Sequence, residues 1–191
     1  VLKTQVQSAL RADVPALQAL QEISDTVDRA TQLANQMLAL AKVEQLRQQS
    51  APPPNRFDDI LRAVALDLSP LIAQRDLDFG IHTEPTTVAA HEWMLRELAR
   101  NLLHNAIRHA PQGSDLAVDL RSADHQAVLC ISDHGSGVDD ELAARLFQPF
   151  SAGDVRTGSG LGLAICHEIV QALDGSIALT NRMESGRVAG L

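Results

Sequence analysis

The sequence predicts an α+β protein in which an antiparallel helical hairpin precedes a two-layer α/β sandwich domain. Within residues 1–50 the apolar side chains recur at helical spacing, which is typical of packed helices. Three consecutive prolines, Pro52 to Pro54, then end any helix. Beyond them, helical segments alternate with short strand-like segments, and this order is typical of helices that cover one face of a mixed sheet.

The first predicted element is the hairpin, over residues 1–50. Its first helix should end near Ala12, because Asp13 can cap a second helix that has Pro15 in its first turn. The second helix should continue to about Leu46 along an apolar stripe. The stripe consists of Leu20, Ile23, Val27, Ala30, Ala34, Met37 and Ala41. Two helices cannot bury such a stripe, so we expect a homodimer in which two hairpins form a four-helix bundle; the alternative is that the hairpin packs on its own C-terminal domain.

Residues 51–56 are predicted to be a semi-rigid linker, because consecutive prolines favour an extended backbone. Residues 57–191 should form the second domain. Helices are predicted over residues 57–74, 91–109 and 160–173, and strands over 77–82, 86–89, 115–121, 127–131 and 175–180, with 187–191 as the start of a further strand. The residues expected to point into the core from the third of these strands are Leu116, Val118 and Leu120. The apolar run 127–131 fits a central strand that delivers Asp133 at its C-terminal end.

The composition excludes several classes of partner. The formal net charge is -8, and residues 1–50 carry as many basic as acidic side chains, so the acidic excess lies in the second domain. Such a surface argues against nucleic acid or an anionic membrane as a partner. No run approaches the ~18 apolar residues of a membrane span, so we expect a soluble piece that meets a membrane only through segments absent from this chain. Cys130 and Cys166 suit neither a metal site nor a redox pair, and both are expected to be buried.

Polar residues on one predicted helix indicate a ligand site. Asn101, Asn105 and Arg108 lie at steps of four and three residues, which places them on one helical face. The adjacent apolar stripe consists of Leu95, Leu98, Leu102 and Ala106. Two glycine clusters come later in the chain, at residues 133–137 and 158–162, where backbone amides can approach phosphate oxygens. We interpret the three motifs together as an ATP site.

Each motif alone has a simpler interpretation. An asparagine on a helix is usually solvated, and an aspartate followed by glycines is usually a turn. The second glycine cluster would also fit a loop or a dinucleotide fingerprint, although it lacks the strand that a dinucleotide site requires directly before it. The order and spacing of the three motifs therefore decide in favour of ATP.

Four segments in this order resemble the sequence boxes of sensor histidine kinases of two-component systems. Residues 97–109 resemble the N box, 131–138 the G1 box, 146–150 the F box and 158–165 the G2 box. Residues 1–50 are similar to the dimerisation and phosphotransfer hairpin that precedes the ATP domain in that family. The resemblance implies a Bergerat-type ATP-binding fold, and it extends to sensor kinases found beside tricarboxylate transporters.

The resemblance also implies roles for individual residues. Asn105 matches the asparagine that binds Mg²⁺, and Asn101 stands where related ATP-hydrolysing enzymes carry a glutamate that activates water. An amide cannot act as that base, so the site should protect ATP from hydrolysis. Arg108 should contact phosphates, His109 replaces a frequent tyrosine, and Asp133 matches the acceptor of the adenine amine.

Backbone groups of the two glycine clusters should complete the ATP site. The residues concerned are Gly135, Gly137, Gly158, Ser159, Gly160, Leu161 and Gly162. Between the clusters, residues 138–157 should form an ATP lid that Phe147 and Phe150 anchor by burial. Arg156 in this lid either reaches a phosphate or stays exposed. Glu97, on the helical face of the asparagines, is expected to be only a solvated or paired carboxylate.

No histidine precedes His82, so the predicted hairpin contains no phosphoacceptor. The family carries an H-[EQ]-L-R-T-P-like motif on its first hairpin helix, and residues 1–11 resemble the segment directly after that motif. The predicted function is the cytoplasmic kinase core of a bacterial inner-membrane sensor, which passes the γ-phosphoryl of ATP to an upstream histidine and then to a response-regulator receiver domain. The alternatives are a stand-alone ATPase of the same superfamily and a non-catalytic dimerising scaffold.

Overall fold

The structure, a computed structural model, describes residues 15–48, 52–143, 145–148, 161–184 and 187–191. Its helices are α1 (Ala16–Arg47), α2 (Phe57–Asp67), α3 (Ser69–Gln74), α4 (Glu92–His109), α5 (Asp140–Ala143) and α6 (Gly162–Ala172). Its strands are β1 (Pro54–Arg56), β2 (Asp78–Thr83), β3 (Thr87–Ala89), β4 (Asp115–Ala123), β5 (Gln126–Ser132), β6 (Arg182–Glu184) and β7 (Arg187–Gly190). Within these described ranges, no helix is long and apolar enough to cross a membrane.

Helix α1 has two apolar faces with different surroundings. On one face, Ala39 and Val43 belong to the core of the second domain, and α1 packs against α6. The Nζ of Lys42 on α1 lies 4.3 Å from the ring centroid of Trp93 on α4. On another face the long apolar side chains are exposed, by 63% for Leu20, 46% for Val27 and 68% for Leu38. Helix α1 therefore contacts its own domain and still leaves much of the predicted stripe uncovered, while the first predicted hairpin helix lies outside the described residues.

The second domain contains a three-stranded mixed sheet in the order β2-β4-β5. Strands β2 and β4 are parallel, and β4 and β5 are antiparallel. Helix α4 contacts both α2 and α6, and the three helices pack on one face of the sheet. The largest fully buried residues of this core include Leu61, Leu95, Leu103, Ile107, Leu116, Leu120, Ile165 and Ile169. The predicted two-layer α+β sandwich is confirmed, as are the inward-facing residues of β4.

A tight turn at Asp124 and His125 joins β4 to β5. Both residues have positive φ angles, 50° and 63°, as a type I′ hairpin turn requires. Within the described residues strand β5 lies at an edge of the sheet, which differs from the predicted central position. The prediction rested on the apolar run 127–131, but these side chains are half-buried or exposed, and of them Leu129 and Ile131 pack against the core.

Two other predicted elements differ from the structure. Residues 175–180 form no strand, although Ile177 packs against the core, so their apolar alternation reflects partial burial without ladder hydrogen bonds. The next strand is β6, which pairs with β7. The predicted helix 57–74 is divided at Leu68 into α2 and α3, and Pro70 lies in the first turn of α3, where its missing amide is tolerated.

Three residues of the predicted linker, Pro54–Arg56, form β1 and pair antiparallel with β3. Directly after this strand, the fully buried carboxylate of Asp58 accepts two hydrogen bonds from the Arg56 guanidinium, at 2.8 and 2.6 Å. Asp58 also accepts a hydrogen bond from the Thr86 amide at 3.2 Å and faces Arg62 at 3.3 Å. The hydrogen bonds from Arg56 hold the pKa of the Asp58 carboxyl well below its usual range. This network ties the beginning of the second domain to β3.

Candidate functional site

Helix α4 presents the predicted polar face. Asn101, Asn105 and Arg108 are half-buried on one side of this helix. The predicted apolar stripe is correct except at one position, because Leu103 is fully buried whereas Leu102 is only half-buried. Helix α4 lies between α2 and α6, so it buries a wider face than a single stripe.

The carboxamide of Asn101 is held by Glu97, one helical turn earlier. Its Nδ2 donates to the Glu97 carbonyl oxygen and to Glu97 Oε1, both at 2.9 Å. Glu97 is therefore a paired carboxylate, which was one of its two predicted states. On the other side, a Cβ placed on Gly162 would lie 3.3 Å from Asn101 Oδ1. The end of the second glycine cluster thus lies directly beside the first asparagine of the polar face.

Asp133 lies at the C-terminal end of β5, as predicted, and is 5% exposed. Its Oδ1 accepts a hydrogen bond from the Gly135 amide at 2.7 Å. Its backbone N–H donates to the Leu191 carbonyl oxygen at 2.9 Å. A Cβ on Gly190, whose φ is +140°, would overlap the Asp133 carbonyl oxygen, so this close approach requires glycine. Within the described residues Oδ2 of Asp133 receives no hydrogen bond, which leaves it for a donor on a ligand.

The first glycine cluster packs against the C-terminal end of α4. A Cβ on Gly135 would lie 2.9 Å from Asp133 Oδ1 and 3.2 Å from the His109 carbonyl oxygen. Gly137 has a φ of 69°, a conformation that favours glycine. In the second cluster, Leu161 is fully buried and precedes the first residue of α6. The remaining predicted site residues, Arg156, Gly158, Ser159 and Gly160, lie outside the described residues, and their contacts stay predictions.

His109 is exposed at the end of α4, next to Arg108. The pKa of His109 is lowered by the partial burial of its ring and by the Arg108 cation. This shift favours the neutral imidazole, which can stack or form hydrogen bonds without adding positive charge. The Arg75 guanidinium donates to the Arg108 carbonyl oxygen at 2.7 Å, and so binds one of the last carbonyls of the helix, which the helix itself cannot pair.

The described part of the predicted lid is fixed at two points. The half-buried ring of Phe147 lies 5.8 Å from the ring of His167 on α6, centroid to centroid, which agrees with an anchoring role. The Val138 amide donates to Asn181 Oδ1 at 2.9 Å, and Asn181 Nδ2 donates to the Val138 carbonyl oxygen at 2.6 Å. Asn181 was not predicted from the sequence, because no motif distinguishes it from any other asparagine in a loop. Phe150 lies outside the described residues.

The two cysteines have different surroundings. Cys166 on α6 is fully buried, as predicted, and burial raises the pKa of its thiol. Cys130 on β5 is exposed, so the prediction that it is buried was wrong. It stands opposite Asp119 of β4, on the sheet face that points away from the buried Val118 and Leu120.

The donor atoms of the site fit Mg²⁺ bound together with phosphates. Mg²⁺ takes oxygen ligands, and in nucleotide sites it uses few protein ligands besides substrate phosphates and water. Asn101 and Asn105 offer amide oxygens one turn apart on one helix face. In the part of the chain that the structure describes, no group of three or more His, Cys, Asp or Glu could hold a metal ion alone. The phosphates would therefore supply part of the ligand set.

The site combines asparagines on α4, an aspartate at the end of β5, and Gly135 and Gly162 beside them. This is the organisation of a nucleotide-binding ATPase domain. The chain belongs to the histidine kinase-, DNA gyrase B- and HSP90-like ATPase family, whose sequence profile matches residues 90–189. Within that family the chain contains a catalytic domain of the sensor histidine kinase type.

The relatives are bacterial sensor kinases. The sensor protein kinase PmrB of Pseudomonas aeruginosa is 30% identical over 96% of this chain and 39% of its own length. The sensor protein QseC of Escherichia coli strain K12 is 31% identical over 97% of this chain and 42% of its own length. The Acinetobacter baumannii histidine kinase AdeS has the same fold, with a TM-score of 0.75 and 24% identity over 99% of this chain and 88% of that chain. The chain spans about two fifths of the length of the two curated relatives, and the resemblance to kinases found beside tricarboxylate transporters stays a prediction.

Proposed function

We propose that this chain binds Mg-ATP and is the kinase core of a sensor histidine kinase. The γ-phosphoryl would pass to a histidine outside this chain and then to an aspartate of a response-regulator receiver domain. The observation that supports this most is the convergence of three distant segments on α4. Gly162 lies beside Asn101, and Gly135 lies between Asp133 and the end of α4. This convergence supports a site built from few polar groups, as small-ligand sites are.

In this proposal each polar group has a role that its chemistry permits. Asn105 supplies an oxygen ligand for Mg²⁺, Arg108 contacts phosphates, and Oδ2 of Asp133 accepts the adenine amine. Backbone amides of the glycine clusters and of the α6 N-terminus donate to phosphate oxygens. Mg²⁺, when bound, neutralises charge on the transferring phosphates. The acidic domain therefore binds an anionic nucleotide through aimed donors rather than through its net charge.

The same site lacks a base for hydrolysis at the position of Asn101. Its carboxamide nitrogen donates both hydrogens to Glu97, and an amide cannot abstract a proton from water. ATP should therefore persist in the site until an acceptor histidine arrives. This property separates a kinase core from the stand-alone ATPase alternative.

Calorimetric titration of the chain with ATP, in Mg²⁺ and in EDTA, tests the proposal. We expect magnesium-dependent binding without appreciable release of inorganic phosphate over the same period. Steady phosphate release would favour the stand-alone ATPase. Absence of nucleotide binding would favour the non-catalytic scaffold.

Incubated alone with γ-labelled ATP, this chain is expected to acquire no acid-labile phosphoryl group. None of its seven histidines lies within residues 1–50, and transfer requires an acceptor in line with the γ-phosphate. A separate hairpin that carries an H-x-L-R-T-P-like helix should be labelled in trans. Label on His109 or His134 would contradict the proposed location of the acceptor.

We also propose that the exposed stripe of α1 pairs two chains as a homodimer. Val27→Asp should shift the chain from dimer to monomer in analytical ultracentrifugation, because the interface would have to bury an unpaired charge. Val27 is 46% exposed in the single chain, so the monomer fold should tolerate the change. Leu66→Asp, on the exposed surface of α2, is the matched control and should leave the dimer intact. If the wild-type chain stayed monomeric at high concentration with α1 folded, the result would instead support the alternative that the hairpin packs only on its own C-terminal domain.

The proposed place of action is the cytoplasmic side of a bacterial inner membrane, where ATP and receiver domains are available. The chain corresponds to about two fifths of its curated relatives. Contact with the membrane would be made by other segments of a longer protein.

A further inference from the structure

We propose that Glu97 is a positioning residue for nucleotide binding, because it holds the Asn101 carboxamide with Oδ1 rather than Nδ2 toward the Mg-ATP site. This inference rests on the proposed function and deepens it. Asn101 thereby becomes an oxygen acceptor that works beside Asn105, and Glu97 acts only through Asn101.

The orientation of the carboxamide depends on its neighbours. One terminal atom of Asn101 lies 2.9 Å from the Glu97 carbonyl oxygen and 2.9 Å from Glu97 Oε1. A carbonyl and a carboxylate are acceptors only, so this atom must be the nitrogen, and both of its hydrogens are used. In the reversed orientation an oxygen would face two other oxygens. The carboxamide is therefore locked as long as the side chain at position 97 offers an acceptor oxygen.

The other terminal atom, Oδ1, faces Gly162, the last residue of the second glycine cluster. It lies 3.3 Å from the position that a Cβ on Gly162 would occupy, at the first residue of α6. The backbone amides of this region are the proposed phosphate donors. An oxygen placed here can bind a cation or accept a hydrogen bond from a water molecule, but it cannot donate to a phosphate. The locked orientation therefore favours a role toward Mg²⁺ or its water shell.

Glu97 is suited to this task by its acceptor oxygens and by its position. Both oxygens of a carboxylate accept hydrogen bonds. Glu97 and Asn101 border a cavity of about 560 Å³ between α1 and α4, so the Glu97 side chain is outside the packed core of α4. Substitution at this position should therefore leave the helix and its packing intact, which makes the role testable.

Nuclear magnetic resonance of the nucleotide-free chain tests the geometry. In the wild type, the side-chain amide hydrogens of Asn101 should be shifted downfield and exchange slowly. Glu97→Ala should release one of the two hydrogens, whereas Glu97→Gln should retain both because its Oε1 still accepts. Glu92→Ala removes an exposed carboxylate that pairs with Arg96 on the same helix, and it should leave the Asn101 resonances unchanged.

Titration with ATP in Mg²⁺ and in EDTA tests the consequence. Glu97→Ala should weaken magnesium-dependent binding about 10-fold to 100-fold, the usual effect of losing a residue that orients a metal ligand, and should change binding in EDTA far less. Glu97→Gln and Glu92→Ala should bind like the wild type. A merely structural role for Glu97 would lower both affinities together.

The inference would be overturned if Glu97→Ala bound ATP with the magnesium dependence of the wild type. It would also be overturned if the Asn101 side-chain amide resonances of that variant matched those of the wild type. Failure of the proposed function is distinguishable from this, because the wild-type chain would then bind no Mg-ATP at all. In that case the amide resonances of the nucleotide-free chain still decide whether Glu97 holds Asn101.

Discussion

Replacement of Asn105 by alanine is expected to remove the whole gain in ATP affinity that Mg²⁺ provides. In the proposed function its carbonyl oxygen is a protein ligand of Mg²⁺, and a methyl side chain has no lone pair to replace it. Alanine is the strongest helix former, so α4 should remain folded. Calorimetric titration measures the effect, and the variant should show the same ATP affinity in Mg²⁺ as in EDTA.

Two further variants show whether the effect belongs to Asn105. His104→Ala changes the exposed preceding residue on α4 and should bind Mg-ATP like the wild type. Asp133→Ala should lose preference for ATP over GTP while its magnesium dependence persists, because it removes the proposed acceptor of the adenine amine and leaves Asn105 in place. Unchanged magnesium-dependent binding in Asn105→Ala would refute the assignment of this residue.

Replacement of Asp58 by alanine is expected to lower the free energy of unfolding by about 3 kcal/mol. The carboxylate is 0% exposed and accepts hydrogen bonds from Arg56 and from the Thr86 amide. Its loss leaves the Thr86 N–H without an acceptor and Arg56 without its main partner, at the junction of β1 and β3. Urea denaturation measures the change.

The neighbouring carboxylate provides a matched control for this prediction. Asp59 also faces Arg56 and Arg62, but its side chain is 60% exposed. Exposed ion pairs contribute only about 0–1 kcal/mol, so Asp59→Ala should be nearly neutral. If Asp58→Ala and Asp59→Ala lowered the free energy of unfolding equally, burial of Asp58 would not explain its contribution to stability.

Asp58 also predicts how stability depends on pH. Its pKa is lowered in the folded chain, chiefly by the hydrogen bonds from Arg56. A group with a lowered folded-state pKa stabilises the fold fully above its unfolded pKa, about 4 for aspartate, and loses that contribution as the pH falls below this value. The stabilities of the wild type and of Asp58→Ala should therefore approach each other in acid. If the difference in stability between the wild type and Asp58→Ala were the same in acid as at neutral pH, the lowered pKa of Asp58 would not be its cause.

The positions of the main site residues were predictable because helical and strand spacing are local properties. Asn101, Asn105 and Arg108 share one face of any helix that contains them. Asp133 comes soon after an apolar run, so its place at the end of a strand depends on no distant contact. Local spacing also places Gly162 at the start of a helix, although it does not reveal the contact of this glycine with Asn101.

Other features depend on contacts that spacing does not encode. The hydrogen bonds from Asn101 to Glu97 require particular side-chain rotamers. The pairing of Asn181 with Val138 joins residues 43 positions apart. In the part of the chain that the structure describes, β5 is an edge strand, and an apolar run cannot reveal which strands flank it. No sequence motif marks Gly190. Glycine is required there only because the backbone of Asp133 lies too close for a Cβ.

The contact between Lys42 and Trp93 has a spectroscopic consequence. Trp93 is the only tryptophan of the sequence, which contains no tyrosine. Its ring lies at the junction of α1 and α4, with the Lys42 ammonium 4.3 Å from the ring centroid. The intrinsic fluorescence of this protein therefore originates at one place, between the second helix of the predicted hairpin and the ATP-binding domain. If α1 separated from the ATP-binding domain after nucleotide is added, the emission of Trp93 would shift. This shift could be followed in real time without an attached dye.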